Sequence, residues 1–147
     1  MAVNPVPPDQ RVMDASFEHE VPVRYRDLDT YGHVNNVVYG TYCEEARVAY
    51  VEDVLGLAEI DEFTAVVVSL DIDFRSSVTE LTTVDVGVSV VRMGESSFTM
   101  AYELRQGGEL VAEAETTQVY VDPETRESRP IPEDWRDRVR EFEGLDD

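Results

Sequence analysis

From Phe17 onward the chain alternates: Phe17, Val21, Val23 and Tyr25 stand against Glu18, Glu20 and Arg24, the period of two that marks a half-buried strand. Pro22 falls inside this run. Proline has no N–H to offer a sheet, so Pro22 is expected on the outward, unpaired side, at an edge or a bulge. The period then changes. After a polar, turn-rich stretch from Asp27 to about Asn36, the residues Tyr39, Tyr42, Cys43, Ala46, Ala49, Tyr50, Val54 and Leu57 recur at helical spacing, which predicts a helix of about five turns ended by Gly56. Its other side carries Glu44, Glu45, Arg47 and Glu52 but also Val48, Val51 and Leu55, so more of its girth is apolar than a surface helix shows. Something must wrap it.

Four more alternating runs follow, over residues 66–74, 84–90, 98–104 and 110–121. The turns at Gly94-Glu95 and Gly107-Gly108 are short enough for tight hairpins, so the last three strands should form an antiparallel meander. Near the end, Trp135, Val139 and Phe142 share one helical face, which predicts a short terminal helix docked through it. Residues 1–15 are Pro-rich and without period and read as a tail, leaving residues 16–147 as one domain. The fold class is α+β: a curved antiparallel sheet of about five strands rolled around one long helix. A small sheet leaves an edge strand open, and the helix's second apolar face needs cover. A homodimer, or a tetramer built from it, is therefore the expected closure.

Composition narrows the function. At 147 residues there is room for one core and no separate cofactor domain. No apolar run approaches the length that spans a bilayer, and MAVNPVPPDQ has neither the basic nor the apolar region of a secretory signal, so a cytoplasmic location is expected. There are 32 acidic residues against 12 basic ones, every basic residue is arginine, and the formal net charge is −20. Such a field repels nucleic acid and anionic lipid, so neither is an expected partner. The acidity reads as adaptation to a high-salt interior, where screening makes dense self-repulsion tolerable, rather than as a docking face for a basic partner. A single cysteine, Cys43, and two histidines leave no metal-site spacing and no intrachain disulfide, and no cofactor is implied.

The segment from Arg24 to Tyr39 carries the candidate chemistry. It places a carboxylate, Asp29, in a loop seven positions before the helix start, with His33 beside it. The first amides of a helix lack intrahelical acceptors and carry positive partial charge, so they form a ready site for a developing oxyanion. A thioester carbonyl held there is polarised, and the nearby carboxylate can attack it or deprotonate a water.

The run YRDLDTYGHVNNVVYGTYCEEAR, Tyr25 to Arg47, resembles the signature of 4-hydroxybenzoyl-CoA thioesterase-like hotdog proteins, a group that includes acyl-CoA thioesterases. The strand and helix order over roughly residues 16–122 is similar to the same family. The resemblance implies a hotdog fold, an acyl-CoA substrate, a dimer or tetramer with the acyl site at a subunit interface, Asp29 as the catalytic carboxylate, and the Asn36 amide on the thioester carbonyl. The HVNN form is similar to the fatty acyl-CoA group, which leans towards an aliphatic chain. The carrier-protein branch has an Asn where this chain has Tyr31, so an acyl-carrier-protein substrate is the less favoured alternative. Residues after the second strand approach the CoA nucleotide in that family, which makes Arg75, Ser76 and Ser77 candidates for its phosphates.

Each candidate has a plainer reading. Asp29 serves equally as an Asx-turn residue, and His33 and Asn35 as turn and cap residues rather than substrate contacts. Asp27 reads as an exposed or Arg-paired loop residue, and Glu44 or Glu45 as an ion-pair partner of Arg47. Tyr39, Tyr42 and Tyr50 read as core or acyl-pocket lining, and Cys43 as inert packing. Arg75 has an acidic surface cluster as its competing partner. Two rivals stand beside the hydrolase: a hydratase on the same scaffold, which needs a further Asp–His pairing not visible here, and a non-catalytic acyl-thioester binding module.

Overall fold

The structure, a computed structural model, describes residues 15–56 and 64–145. The expected tail, except Ala15, lies outside the described residues, as does Leu57. Five strands and two helices follow in the order β1 (Phe17–Pro22), α1 (Asn36–Val54), β2 (Ala65–Phe74), β3 (Thr83–Met93), β4 (Ser97–Gln106), β5 (Glu109–Tyr120) and α2 (Glu133–Glu143). The strands form one antiparallel sheet in the order β1-β3-β4-β5-β2. The meander β3-β4-β5 is thus the centre. The two strands flanking α1 in sequence, β1 and β2, become opposite edges, so the helix crosses the inner face between them.

Local chemistry explains the boundaries. Gly107 and Gly108 both have positive φ (60° and 86°), the backbone of a two-residue hairpin that only glycine adopts freely. The first strand is shorter than its alternation suggests. It ends at Pro22; Val23 gives one more N–H to Thr82, and the chain then closes a 3-10 turn over Tyr25–Asp27 that leaves Tyr25 82% exposed. The reason is local: the Asp27 carboxylate accepts the Arg24 N–H while the Asp27 N–H donates to the Arg24 carbonyl, which bends the backbone out of the ladder. Pro22 does sit on an edge strand. In β2 the pairing shifts between Val67 and Ser69, so Val68 is a bulge and Val67 takes the side of the sheet that Leu70, Ile72 and Phe74 share.

The core lies between α1 and the inner face of the sheet. Tyr39, Tyr42, Cys43, Ala46 and Tyr50 are buried against Val84, Val86 and Val88 of β3, Met100, Tyr102 and Leu104 of β4, and Ala112 and Ala114 of β5. Each large side chain removed from water this way contributes about 1.5–3 kcal/mol. Arg47 does not pair with Glu44 or Glu45 as expected. Its guanidinium reaches the sheet and donates to the Tyr102 hydroxyl at 3.3 Å, while Glu45 pairs with Arg24 at 3.5 Å. A long arginine stem can lie over apolar surface and deliver its head to a buried acceptor, which a spacing rule along one helix does not see.

Helix α2 covers the far end of α1. Trp135 stands edge-on to Tyr120 (5.2 Å between centroids) and Phe142 edge-on to Tyr50 (5.8 Å), while Val139 is buried beneath. The Glu143 carboxylate enters from the helix end and accepts two hydrogen bonds, from the Tyr50 hydroxyl at 2.5 Å and the Val90 N–H at 2.8 Å. A small, wholly apolar cavity of about 30 Å³ remains between Val51, Met93, Ile131 and Trp135.

Candidate active site

The loop carrying Asp29 is built by backbone geometry. Gly32 takes a positive φ of 78°, Gly32 N–H returns to the Asp29 carbonyl at 3.1 Å, and Asp29 N–H donates to the His33 carbonyl at 2.7 Å. The Asp29 side chain also takes part. Its Oδ1 accepts the amides of Tyr31 (2.8 Å) and His33 (3.2 Å), an Asx-type turn that fixes the carboxylate's orientation. Its Oδ2 has no hydrogen bond within the described residues, so the turn occupies one carboxylate oxygen and leaves the other open.

Six positions on, Asn35 caps α1: its Oδ1 accepts the Val37 N–H at 3.0 Å and its carbonyl the Val38 N–H at 2.9 Å. The Asn36 amide, first in the helix, finds no acceptor among the described residues. A cleft of about 300 Å³ opens at this point. Asp29, His33, Asn36 and Tyr39 line one side of it; Arg75, Ser76 and Ser77 line the other, with Phe74 between. Asn35 stands apart from the cleft, its side-chain oxygen spent on the cap, and so do Tyr42 and Tyr50, which the sequence offered as core or acyl-pocket lining.

Two tyrosines one turn apart on α1 hold the two walls. Tyr39 is buried, and its hydroxyl donates to the Ser76 carbonyl (3.4 Å) and accepts the Val78 N–H (3.3 Å), which pins the segment after β2. Burial pushes the Tyr39 phenol above its ordinary pKa, partly offset by the Val78 amide. Tyr42 reaches the other wall: its hydroxyl donates to Asp27 Oδ2 at 2.8 Å. Burial, then the Asp27 hydrogen bond, pushes its phenol well above the usual range. Asp27, expected as an exposed or Arg-paired loop residue, is therefore not exposed, and it meets Arg24 through the backbone N–H of that residue. It is 7% exposed, because the 3-10 turn folds it under the loop against α1. Sequence reasoning passed over both contacts. A cue existed: a tyrosine on a fully apolar helix stripe needs a partner for its O–H.

Arg75 is half committed. Its Nε donates to Glu113 Oε1 at 3.1 Å, its Nη2 pairs with the same oxygen, and this carboxylate holds the guanidinium pKa above its ordinary value. Glu113 stands directly across from Glu103, a pairing of like charges in which each carboxylate has an arginine, Arg75 from just past the end of β2 for Glu113 and Arg105 of β4 for Glu103. Cys43 lies buried on the α1 stripe, and burial pushes its thiol up to about 12, which keeps it unreactive at neutral pH.

This arrangement, a fixed carboxylate and a helix-start amide without an acceptor among the described residues lining one cleft, belongs with a match to the family model described as the thioesterase-like superfamily over residues 23–139. The chain belongs to that superfamily. Its fold is the hotdog fold of thioesterases, and thioester hydrolysis is the class of chemistry that the family supports. A crystal structure of a thioesterase from Thermus thermophilus, complexed with coenzyme A and zinc, superposes with a TM-score of 0.82 at 32% identity, covering 90% of this chain and 97% of that one. The long-chain acyl-CoA thioesterase FadM of Escherichia coli is 26% identical over 130 residues, 86% of this chain and 98% of its own length. YsmA of Bacillus subtilis, an uncharacterised protein, is 32% identical over 87 residues; the match spans 59% of each. No group of three or more His, Cys, Asp or Glu that could hold a metal ion stands together among the described residues. Among the described residues no helix is long and apolar enough to cross a membrane.

Proposed function

We propose that this chain hydrolyses an acyl-CoA to the free acid and CoA, with Asp29 as the reacting carboxylate and the Asn36 amide polarising the thioester carbonyl. The observation that supports this most is the pairing in one cleft of a carboxylate whose Oδ2 is free with a helix-start N–H that lacks an acceptor, both among the described residues. With the carbonyl oxygen on the Asn36 N–H, Asp29 either attacks the carbonyl carbon, expelling the CoA thiolate and leaving an anhydride that water opens, or takes a proton from the water that attacks. Both routes yield one carboxylic acid and one thiol. An aliphatic acyl group fits the apolar walls at Tyr39 and Phe74, whose rings meet edge-on at 5.0 Å. Among the described residues Arg75 keeps an unspent Nη1 for a CoA phosphate, with Ser76 and Ser77 beside it.

The working unit in this reading is a pair of chains. Val67, Val68, Leu70 and Phe74 are 43%, 59%, 49% and 46% exposed on β2, an edge strand with a free row of backbone groups next to the cleft. A second copy added along that edge covers them and closes the cleft over its substrate.

Thiol release from a panel of acyl-CoAs, measured in high-salt buffer, tests the reading. Asp29→Asn should lower kcat by about 10²–10⁴-fold while acyl-CoA binding persists, the range for removing a positioned acid–base group. Undiminished turnover in Asp29→Asn would exclude the mechanism, and tight binding without turnover in the unaltered protein would favour a binding module.

A further inference from the structure

Asp27 is a buried carboxylate for which the hydrolytic chemistry above has no use. Its surroundings explain why it is there. One oxygen, Oδ2, takes two hydrogen bonds, from the Tyr42 hydroxyl and from the Arg24 N–H, each 2.8 Å long. Its own carbonyl oxygen takes the Asn35 N–H at 2.9 Å, and Asn35 is the residue that caps α1 and sets the Asn36 amide. Asp29 follows two residues later in the same loop, and the isolated bridge between Leu28 and Val34 joins the two arms of that loop. The core helix therefore grips the loop from inside through Tyr42, a residue that is 0% exposed, while the half-exposed Glu45–Arg24 pair lies outside it, and both reacting groups hang from the buried contact.

We propose that Asp27 and Tyr42 act together as a positioning pair that sets the distance between the Asp29 carboxylate and the Asn36 amide. The proposal rests on the hydrolase reading above, since it assigns the pair no contact with substrate. Loop and helix start are both surface features, and among the described residues the packing of Leu28 is the other core contact to the loop between Tyr25 and Leu28. Val34 N–H donates to the Val78 carbonyl at 2.9 Å, which ties the return arm to the opposite wall but leaves the Asp27 arm to Tyr42. A shift of a fraction of an ångström at Asp27 moves the acceptor of the Asn35 N–H and the carboxylate in the same motion. Chemistry that depends on a near-attack arrangement is sensitive to displacements of that size.

Because both hydrogen bonds fall on one oxygen, an amide oxygen can take them as well. Asp27→Asn should therefore retain most activity, whereas Asp27→Ala and Tyr42→Phe should not. The experiment measures kcat and KM for one acyl-CoA in the full chain and in these three variants together with Asp29→Asn, with folding checked by near-ultraviolet circular dichroism and thermal unfolding. Expected are a fall in kcat of about 10- to 100-fold for Tyr42→Phe and Asp27→Ala, with KM changed less than about threefold and the folded fraction intact, and near-normal kcat for Asp27→Asn. If Asp29→Asn is inactive while Tyr42→Phe and Asp27→Ala keep kcat, or lose it only in step with the folded fraction, the positioning role is wrong and the hydrolase reading stands. An Asp27→Asn as inactive as Asp27→Ala also overturns it, since charge rather than an acceptor would then be required. Turnover surviving in Asp29→Asn overturns the reading on which the pair depends. Should Tyr42→Phe fail to fold, the contrast between Asp27→Asn and Asp27→Ala decides the question, because neither touches the helix stripe.

Discussion

Replacing Glu143 by alanine should be among the most damaging single changes outside the cleft. The carboxylate accepts from the Tyr50 hydroxyl and the Val90 N–H, and these donors belong to residues only 2% and 3% exposed. Truncation leaves both donors without an acceptor, and each buried orphan costs about 1–3 kcal/mol. Glu143 is itself half-buried, so water can reach part of the space and the lower half of that range applies, giving about 2–4 kcal/mol in total. For a domain of this size about 2–4 °C of Tm accompanies each kcal/mol, so a drop of roughly 5–15 °C is expected by differential scanning calorimetry. Two controls separate the hydrogen bonds from bulk. Glu143→Gln keeps an oxygen that can accept both bonds and should cost under about 1 kcal/mol. Adding Tyr50→Phe to Glu143→Ala removes one orphan and should recover part of the loss, a coupling that a double-mutant cycle reads directly. Equal losses in Glu143→Ala and Glu143→Gln, or strict additivity in the cycle, would refute this account.

Two further outcomes follow from burial. Tyr39, Tyr42, Tyr50 and Tyr102 all have phenols pushed above their ordinary value, chiefly by burial, and the Cys43 thiol rises to about 12 from 9.0. Groups that hold their protons more tightly when folded stabilise the fold below their unfolded pKa and lose that contribution as pH rises. Melting temperature should therefore decline from about pH 9 upward, and Cys43→Ala should soften the first part of the fall; an unchanged profile would count against a buried thiol. On the β2 edge, Leu70→Lys should convert a dimer to monomers in light-scattering chromatography and depress turnover with it, whereas a monomeric unaltered protein would remove the proposed pairing.

Much of the fold was legible because period and turn chemistry are local. The alternation of Val84, Val86, Val88 and Val90, the Gly107-Gly108 pair and the helical stripe from Tyr39 to Tyr50 each state their conformation within a few residues. The same holds for the loop chemistry: Asp29, Gly32 and Asn35 close their turn and cap by contacts at most four residues apart. Other features were not legible. The end of β1 at Pro22 comes from the Arg24–Asp27 turn, which the alternation does not register, and the burial of Asp27 and the turn of Arg47 towards Tyr102 depend on what α1 and the sheet place nearby.

Sequence alone thus determined the elements, the motif and the order in which they come, because neighbours along the chain compete on short-range terms. Tertiary structure decided which polar groups share a buried site. Tyr42 with Asp27, Tyr39 with Ser76, Arg75 with Glu113 and Tyr50 with Glu143 are separated by 15, 37, 38 and 93 residues. Such partners are chosen by the need to satisfy a donor once water is gone, and only the packed chain shows which acceptor is within reach.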